Sequence, residues 1–234
     1  MGVCTASAAP SDTLQYKLGL ANTGILNHTR LLNAYTLSNT VKLGIKGRKT
    51  ELDAAANYTY GVTDNELVNN DFTGNLSGNR YVFADRRFYI WGLGAYESSY
   101  SLGVASRTQV GGGIAWSPID SPRAYLNFSE GVLVETANIR QPDGNTVTNQ
   151  TLRNSFRFRF RFASEGDRVV FEGTNSIQNS FKDFNDYLLR LNNALTVKVY
   201  KGIGLTAAVA YNKITATDRE NLLLTLGFKV DYIF

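Results

Sequence analysis

Apolar and polar residues alternate with a period of two along almost the whole chain, from about residue 14 to residue 234. The run from 154 to 164 shows the pattern best: Phe156, Phe158, Phe160 and Phe162 interleave with Arg157, Arg159 and Arg161. A helix of 3.6 residues per turn would scatter both residue types around its circumference, whereas a strand sorts them onto two faces. Read segment by segment, the alternation predicts about twelve strands, at 13–22, 28–46, 49–62, 71–84, 86–98, 103–117, 123–137, 147–163, 168–178, 184–200, 203–214 and 221–234. No helix-period stretch or change of composition interrupts them. Residues 13–234 therefore read as one all-β domain, preceded by a short segment, 1–12, that is an added start or the remnant of a removed export signal.

Strand length bears on the surroundings. Strands of globular proteins run about five or six residues, while a tilted strand crossing a bilayer needs roughly nine to eleven. Most of the segments reach that length. The joins are expected to alternate, tight near Gly47-Arg48, Ala84-Asp85 and Lys201-Gly202, somewhat longer at 117–123 and 163–167, and longest at 62–71, 138–148, 178–184 and 213–221. Short turns on one side and longer loops on the other describe an antiparallel up-and-down transmembrane barrel with both termini on the short-turn, periplasmic side. In a soluble sandwich the phenylalanines would face a core and the arginines water. In a membrane the faces follow from cost. An arginine on the lipid face near the midplane costs about 2–4 kcal/mol, and a buried phenylalanine gains about 1.5–3 kcal/mol. Phenylalanine goes out and arginine in.

The same parity sorts the other strands. Leu52, Ala54, Ala56, Tyr58 and Tyr60 are expected outside, with Glu51, Asp53 and Asn57 inside. Tyr89, Trp91 and Leu93 are expected outside, with Gly92 and Gly94 inside. Val110, Ile114 and Trp116 are placed outside, with Arg107, Gln109, Gly111 and Gly113 inside. Leu189, Leu191, Leu195 and Val197 face out, leaving Arg190, Asn192 and Lys198 in. In the last segment Leu222, Leu224, Leu226, Phe228, Val230, Tyr232 and Phe234 oppose Thr225, Gly227, Lys229 and Asp231. Around Glu130-Gly131 the parity breaks, which reads as a bulge. The lumen then holds Arg157, Arg159, Arg161, Arg107, Arg190, Lys198 and Lys229 against Glu51, Asp53, Glu130, Glu172 and Asp231. Those charges either pair and fill the interior or leave an unpaired cationic row. About twelve strands fall between the filled eight and the open sixteen, so strand number does not choose.

Composition removes several other classes. No run of about 20 apolar residues offers a membrane helix. A net charge of +4 without a Lys/Arg tract gives no nucleic-acid footprint. Cys4 is the single cysteine, so no internal disulfide forms, and as a lipid-attachment point it has too little sequence before it. The single histidine, His28, sits in "NHTRL" without a catalytic companion. No nucleophile elbow, metal-ligand cluster or phosphate loop is present, so neither enzymatic activity, cofactor nor metal is expected.

The segments "GVASRTQVGGGIAW", "RNSFRFRF", "DYLLRLNNALTVKVYKGIGL" and "LTLGFKVDYIF" resemble the salt-induced outer-membrane protein family of Gram-negative bacteria, long catalogued as a domain of unknown function. The resemblance covers residues 14 to 234 and rests on the order and spacing of the motifs. It implies an outer-membrane barrel whose role is poorly defined: a narrow or plugged pore, or a structural barrel with an arginine-rich lumen. An accessory subunit of a larger outer-membrane complex is the alternative, and an outer-membrane hydrolase stands behind both. The final strand also resembles the terminal signal of bacterial outer-membrane barrels, with Phe228, Val230, Tyr232 and Phe234 as its residues. That likeness implies recognition by the barrel assembly machinery. Expected partners are outer-membrane lipid, that machinery and other outer-membrane subunits.

Overall fold

A computed structural model describes residues 14–28, 33–141, 143–200 and 203–230. It contains twelve strands: β1 (Gln15–His28), β2 (Asn33–Lys46), β3 (Thr50–Thr63), β4 (Glu66–Tyr81), β5 (Phe88–Ser99), β6 (Val104–Asp120), β7 (Ala124–Arg140), β8 (Thr146–Ala163), β9 (Val169–Ser180), β10 (Tyr187–Tyr200), β11 (Ile203–Ile214) and β12 (Arg219–Val230). Each pairs antiparallel with its neighbours in sequence, in unbroken order from β1 to β12. The sheet is an up-and-down transmembrane barrel. Its curl is visible in contacts across the interior: Arg190 on β10 reaches Glu97 on β5, and Arg219 at the start of β12 donates to the carbonyls of Tyr100 and Ser101 between β5 and β6.

Strands of 12 to 18 residues at about 3.3 Å per residue are long enough to cross a bilayer at a tilt. The expected segregation of loop lengths is not found. The segment 62–71 is almost all strand, turning tightly at Asp64-Asn65, both at positive φ (50° and 66°), while the join expected to be tight at Ala84-Asp85 occupies 82–87. The segments 138–148 and 213–221 likewise shrink to loops at 141–145 and 215–218. The physical reason is that the inner face of a membrane barrel is polar. Strand ends rich in Asn, Asp and Thr therefore look like loop.

Register assigns the faces. Phe156, Phe158, Phe160 and Phe162 lie opposite Glu130, Phe128, Leu126 and Ala124 of β7, and with Trp116 and Phe88 they belong to the outer wall. There the rings of Phe88, Trp116, Phe128, Phe158, Phe160 and Phe171 follow one another at 4.8 to 6.4 Å between centroids. This chain of rings is the apolar belt that lipid requires. Two asparagine pairs, Asn22–Asn39 and Asn175–Asn193, interrupt the wall, and in each the amides bond one another across the ladder.

Two expectations are corrected. Trp91 is not on the lipid face. With Tyr89 and Leu93 it points inward, and it is 6% exposed against 46% for Trp116. Gly92 and Gly94 take the outer face instead. Space is the reason: Trp91 lies over Gly131, where a Cβ would collide with the indole, and its Nε1 donates to the carbonyl of Ile114. Nor is there a bulge at Glu130-Gly131. The ladders to β6 and β8 run through both residues without a shift, which puts Glu130 on the outer wall between Ile114 and Phe156. Its carboxylate has no hydrogen bond or ion pair among the described residues.

Two substitutions on this wall should therefore act in opposite directions. Phe158→Arg is expected to lower the free energy of folding into lipid vesicles by about 2–4 kcal/mol, and Glu130→Leu to raise it by less than that. Denaturant titration of the vesicle-folded protein reads both, and a neutral Phe158→Arg would mean that this face does not meet lipid.

Candidate functional site: the barrel lumen

The inward residues of β5–β10 form two dissimilar clusters. One lies near the end where β5 passes to β6, β7 to β8 and β9 to β10, called here the loop end. Arg107 on β6 meets Glu97 on β5 at 2.9 Å and Glu135 on β7 at 3.4 Å. Glu135 also takes Arg153 of β8 at 2.8 Å, and Arg153 holds Asp186, just before β10, through both carboxylate oxygens at 3.0 Å. Arg190 closes the circuit on Glu97 at 2.6 Å. Gln109 bridges Glu135 and Gln178 at 2.7 and 2.8 Å. Arg107, Glu135 and Arg153 are only 1–2% exposed. Three arginines and three carboxylates balance, so this cluster has no net charge. Ions so deeply desolvated are tolerable only when paired, and here the pairing is nearly complete. The exception is Arg107, whose Nε and one Nη find no hydrogen-bond acceptor. Above the network, Leu102, Val104, Leu188 and Ile214 pack into an apolar cap.

The second cluster lies toward the opposite end, where β6 joins β7 and β8 joins β9. Arg159 donates to Tyr89 Oη at 2.6 Å and to Asn127 Oδ1 at 3.2–3.3 Å. Asn127 also receives the Tyr89 hydroxyl at 3.1 Å and gives its own amide to Ser117 at 2.9 Å. Arg157 donates only its Nε, to Ser129 at 3.2 Å, and lies 5.8 Å from the Trp91 ring centroid. Neither Arg157 nor Arg159 has a carboxylate partner among the described residues. Arg161 differs, with Asp167 at 3.3 Å and the Pro122 carbonyl at 2.9 Å.

The remaining expected residues are scattered. Glu51 pairs with Lys46 at 3.1 Å and Arg86 at 2.7 Å and accepts the Tyr81 hydroxyl. Asp53 lies inward opposite Ser77 and Gly44. Glu172 lies opposite Arg161 in register but makes no ion pair among the described residues. Lys198 sits beside Gly204 at a bulge of β10. Phe228, Lys229 and Val230 belong to β12, paired in register with Leu205, Gly204 and Ile203 of β11. Asp231, Tyr232 and Phe234 lie outside the described residues. The alternation singled out Arg107, Arg190 and the 157–161 row, but not Glu97, Glu135, Arg153, Asp186 or Gln178. Arg153 was legible, since it continues the parity of Arg157. Glu97 was too, because an outward Trp91 would have carried Glu97 into lipid.

Breaking the buried network at its centre should be costly. Glu135→Gln leaves Arg107 and Arg153 under-compensated and is expected to lower stability by about 3–5 kcal/mol. Glu135→Leu combined with Arg153→Met keeps the remaining charges balanced and should restore most of that loss. Equilibrium unfolding in detergent checks both, and a harmless Glu135→Gln would mean that water reaches the network.

A family model for a protein of unknown function, DUF481, matches residues 33–232. Among solved structures, the chain is similar to the NanC porin, with a TM-score of 0.50 and 9% identity over 92% of this chain and 100% of that one. It is also similar to the translocator domain of the autotransporter NalP from Neisseria meningitidis, with a TM-score of 0.45 and 15% identity over 94% of this chain and 87% of that one. No curated protein matches its sequence. The chain belongs to the DUF481 family, and its fold is that of outer-membrane β-barrels, as the resemblance in sequence implied.

Proposed function

From membership in a family without a defined role, and from the lumen just described, we propose that this barrel is a narrow solute pore of the bacterial outer membrane, with both termini periplasmic. The observation that carries the reading is the Glu97–Arg107–Glu135–Arg153–Asp186–Arg190 network. It ties β5, β6, β7, β8 and β10 together on the inside and fills that side of the lumen with paired side chains. A wide diffusion channel keeps its wall charges in water; here three of them are almost completely desolvated. What is left for solute is the side lined by β11, β12 and β1–β4, where Thr40, Lys42, Asp53 and Asn57 face inward. Arg157 and Arg159, without carboxylate partners, bias that path toward anions, since like charges in a low-dielectric wall focus potential.

Glu130 favours a second reading, an accessory barrel within a larger complex. An unpaired carboxylate in an apolar belt is the kind of group that a membrane-embedded neighbour with a basic or hydrogen-bonding side chain would cover.

Conductance across planar bilayers tests the pore. The refolded protein is expected to pass small, anion-preferring currents. Glu135→Ser combined with Arg153→Ser should enlarge them, and Arg157→Ser combined with Arg159→Ser should weaken the preference for anions. Wide-channel conductance in the unaltered protein, or no response to the first pair, would overturn the proposal.

A further inference from the structure

The two halves of the lumen are not equivalent, and the difference points to a ligand. In the loop-end network each of the three arginines has a carboxylate within 3.0 Å. Four residues further along β8, Arg157 and Arg159 share one face two positions apart, and neither has one among the described residues. Asp53 lies within electrostatic reach of Arg159, but it also faces Lys17 and Lys46 and forms no ion pair with either arginine. Two guanidinium groups thus stand side by side, half-buried, next to a network whose own charges balance.

The groups around them are organised. Arg159 is held by Tyr89 and Asn127, and Asn127 is held in turn by Ser117. Arg157 is held at Nε by Ser129 and lies over the face of Trp91. Those anchors use the inner part of each guanidinium. Neither Nη of Arg157 has a hydrogen-bond partner among the described residues, and neither does Nη1 of Arg159. No polar atom of either residue is both buried and unsatisfied, so the free N–H groups open to the lumen. A pair of forks fixed from behind and open in front is the geometry that takes up oxyanions through two or more parallel hydrogen bonds.

We propose that Arg157 and Arg159 form a binding site for the oxyanion of a small solute, a carboxylate or a phosphate, seated between their free Nη groups beside Trp91 and Tyr89. Serine, asparagine and tyrosine fix the arginines without neutralising them, which leaves their charge for the ligand. The site lies outside the loop-end network. A barrel that proved widely conducting would end the narrow-pore reading and leave this one standing.

The test uses Trp91 as the reporter. The chain has two tryptophans, and Trp116 is on the lipid wall, so Trp116→Phe leaves only the indole beneath Arg157. Sodium phosphate and sodium acetate are titrated separately into this variant, refolded in detergent micelles, with sodium chloride holding the ionic strength constant. A saturable change in Trp91 emission is expected with one anion or both, accompanied by a rise in thermal midpoint. Phosphate alone would assign a tetrahedral oxyanion, and acetate alone a planar one. Arg157→Gln should weaken binding about tenfold, the loss of one charged hydrogen bond. Arg157→Lys should weaken it nearly as much, because a point charge replaces the fork. In buffer without either anion, Arg157→Gln should be at least as stable as the parent, because it relieves repulsion between the two arginines. The proposal fails if neither anion adds to the effect of chloride, if the response survives Arg157→Gln, or if that variant melts below its parent without anion.

Discussion

Lipid offers neither water to a charge nor a partner to a peptide group, and the whole architecture follows from that. Every backbone donor and acceptor within the bilayer must pair inside the protein, which leaves a closed sheet as the form available to strands. The sheet then has one face for lipid and one for everything else. With a side-chain period of two, each residue's parity decides which face it meets. The alternation of Phe and Arg in β8 is that rule at its most explicit, and the neutral network, the aromatic belt and the arginine pair are its consequences.

The rule also marks how much could be read from the sequence. β8 was legible almost to its ends because it has one plainly apolar face and one plainly polar face. β5 was not. Phe88 and Ile90 lie on one side, Tyr89, Trp91 and Leu93 on the other, and hydropathy alone cannot choose between two apolar faces. The glycines that decide it, Gly113 and Gly131, sit on other strands, and only the three-dimensional register brings them beneath Trp91. Loop lengths were misjudged because a wet lumen lets polar strand ends pass for loop. The site was half legible. Arg153 and Glu97 follow from parity, whereas the closure of Arg190 on Glu97, across 93 residues, depends on barrel curvature that no local pattern contains.

The lumen makes two different uses of one residue type. In the loop-end network arginine is structural: its charge is matched by Glu or Asp, and Arg107 and Arg153 are shut off from water. Toward the other end it is held by neutral groups, with charge and donors left over. The contrast lies in the companions, Glu and Asp in one case, Ser, Asn and Tyr in the other. Counting arginines in the sequence would have merged the two.

The loop-end network also constrains the order of events by which this protein enters a membrane. Its six charged residues come from β5, β6, β7, β8, the β9–β10 connection and β10, and no two neighbouring strands contain the full set. A sheet that entered the bilayer flat and closed later would present Arg107, Glu135 and Arg153 to hydrocarbon. The strands must therefore have curled toward one another before they cross, with the ions already turned to the shared interior. For this chain, bending the sheet and entering the bilayer are coupled through charged residues in the middle of the sequence.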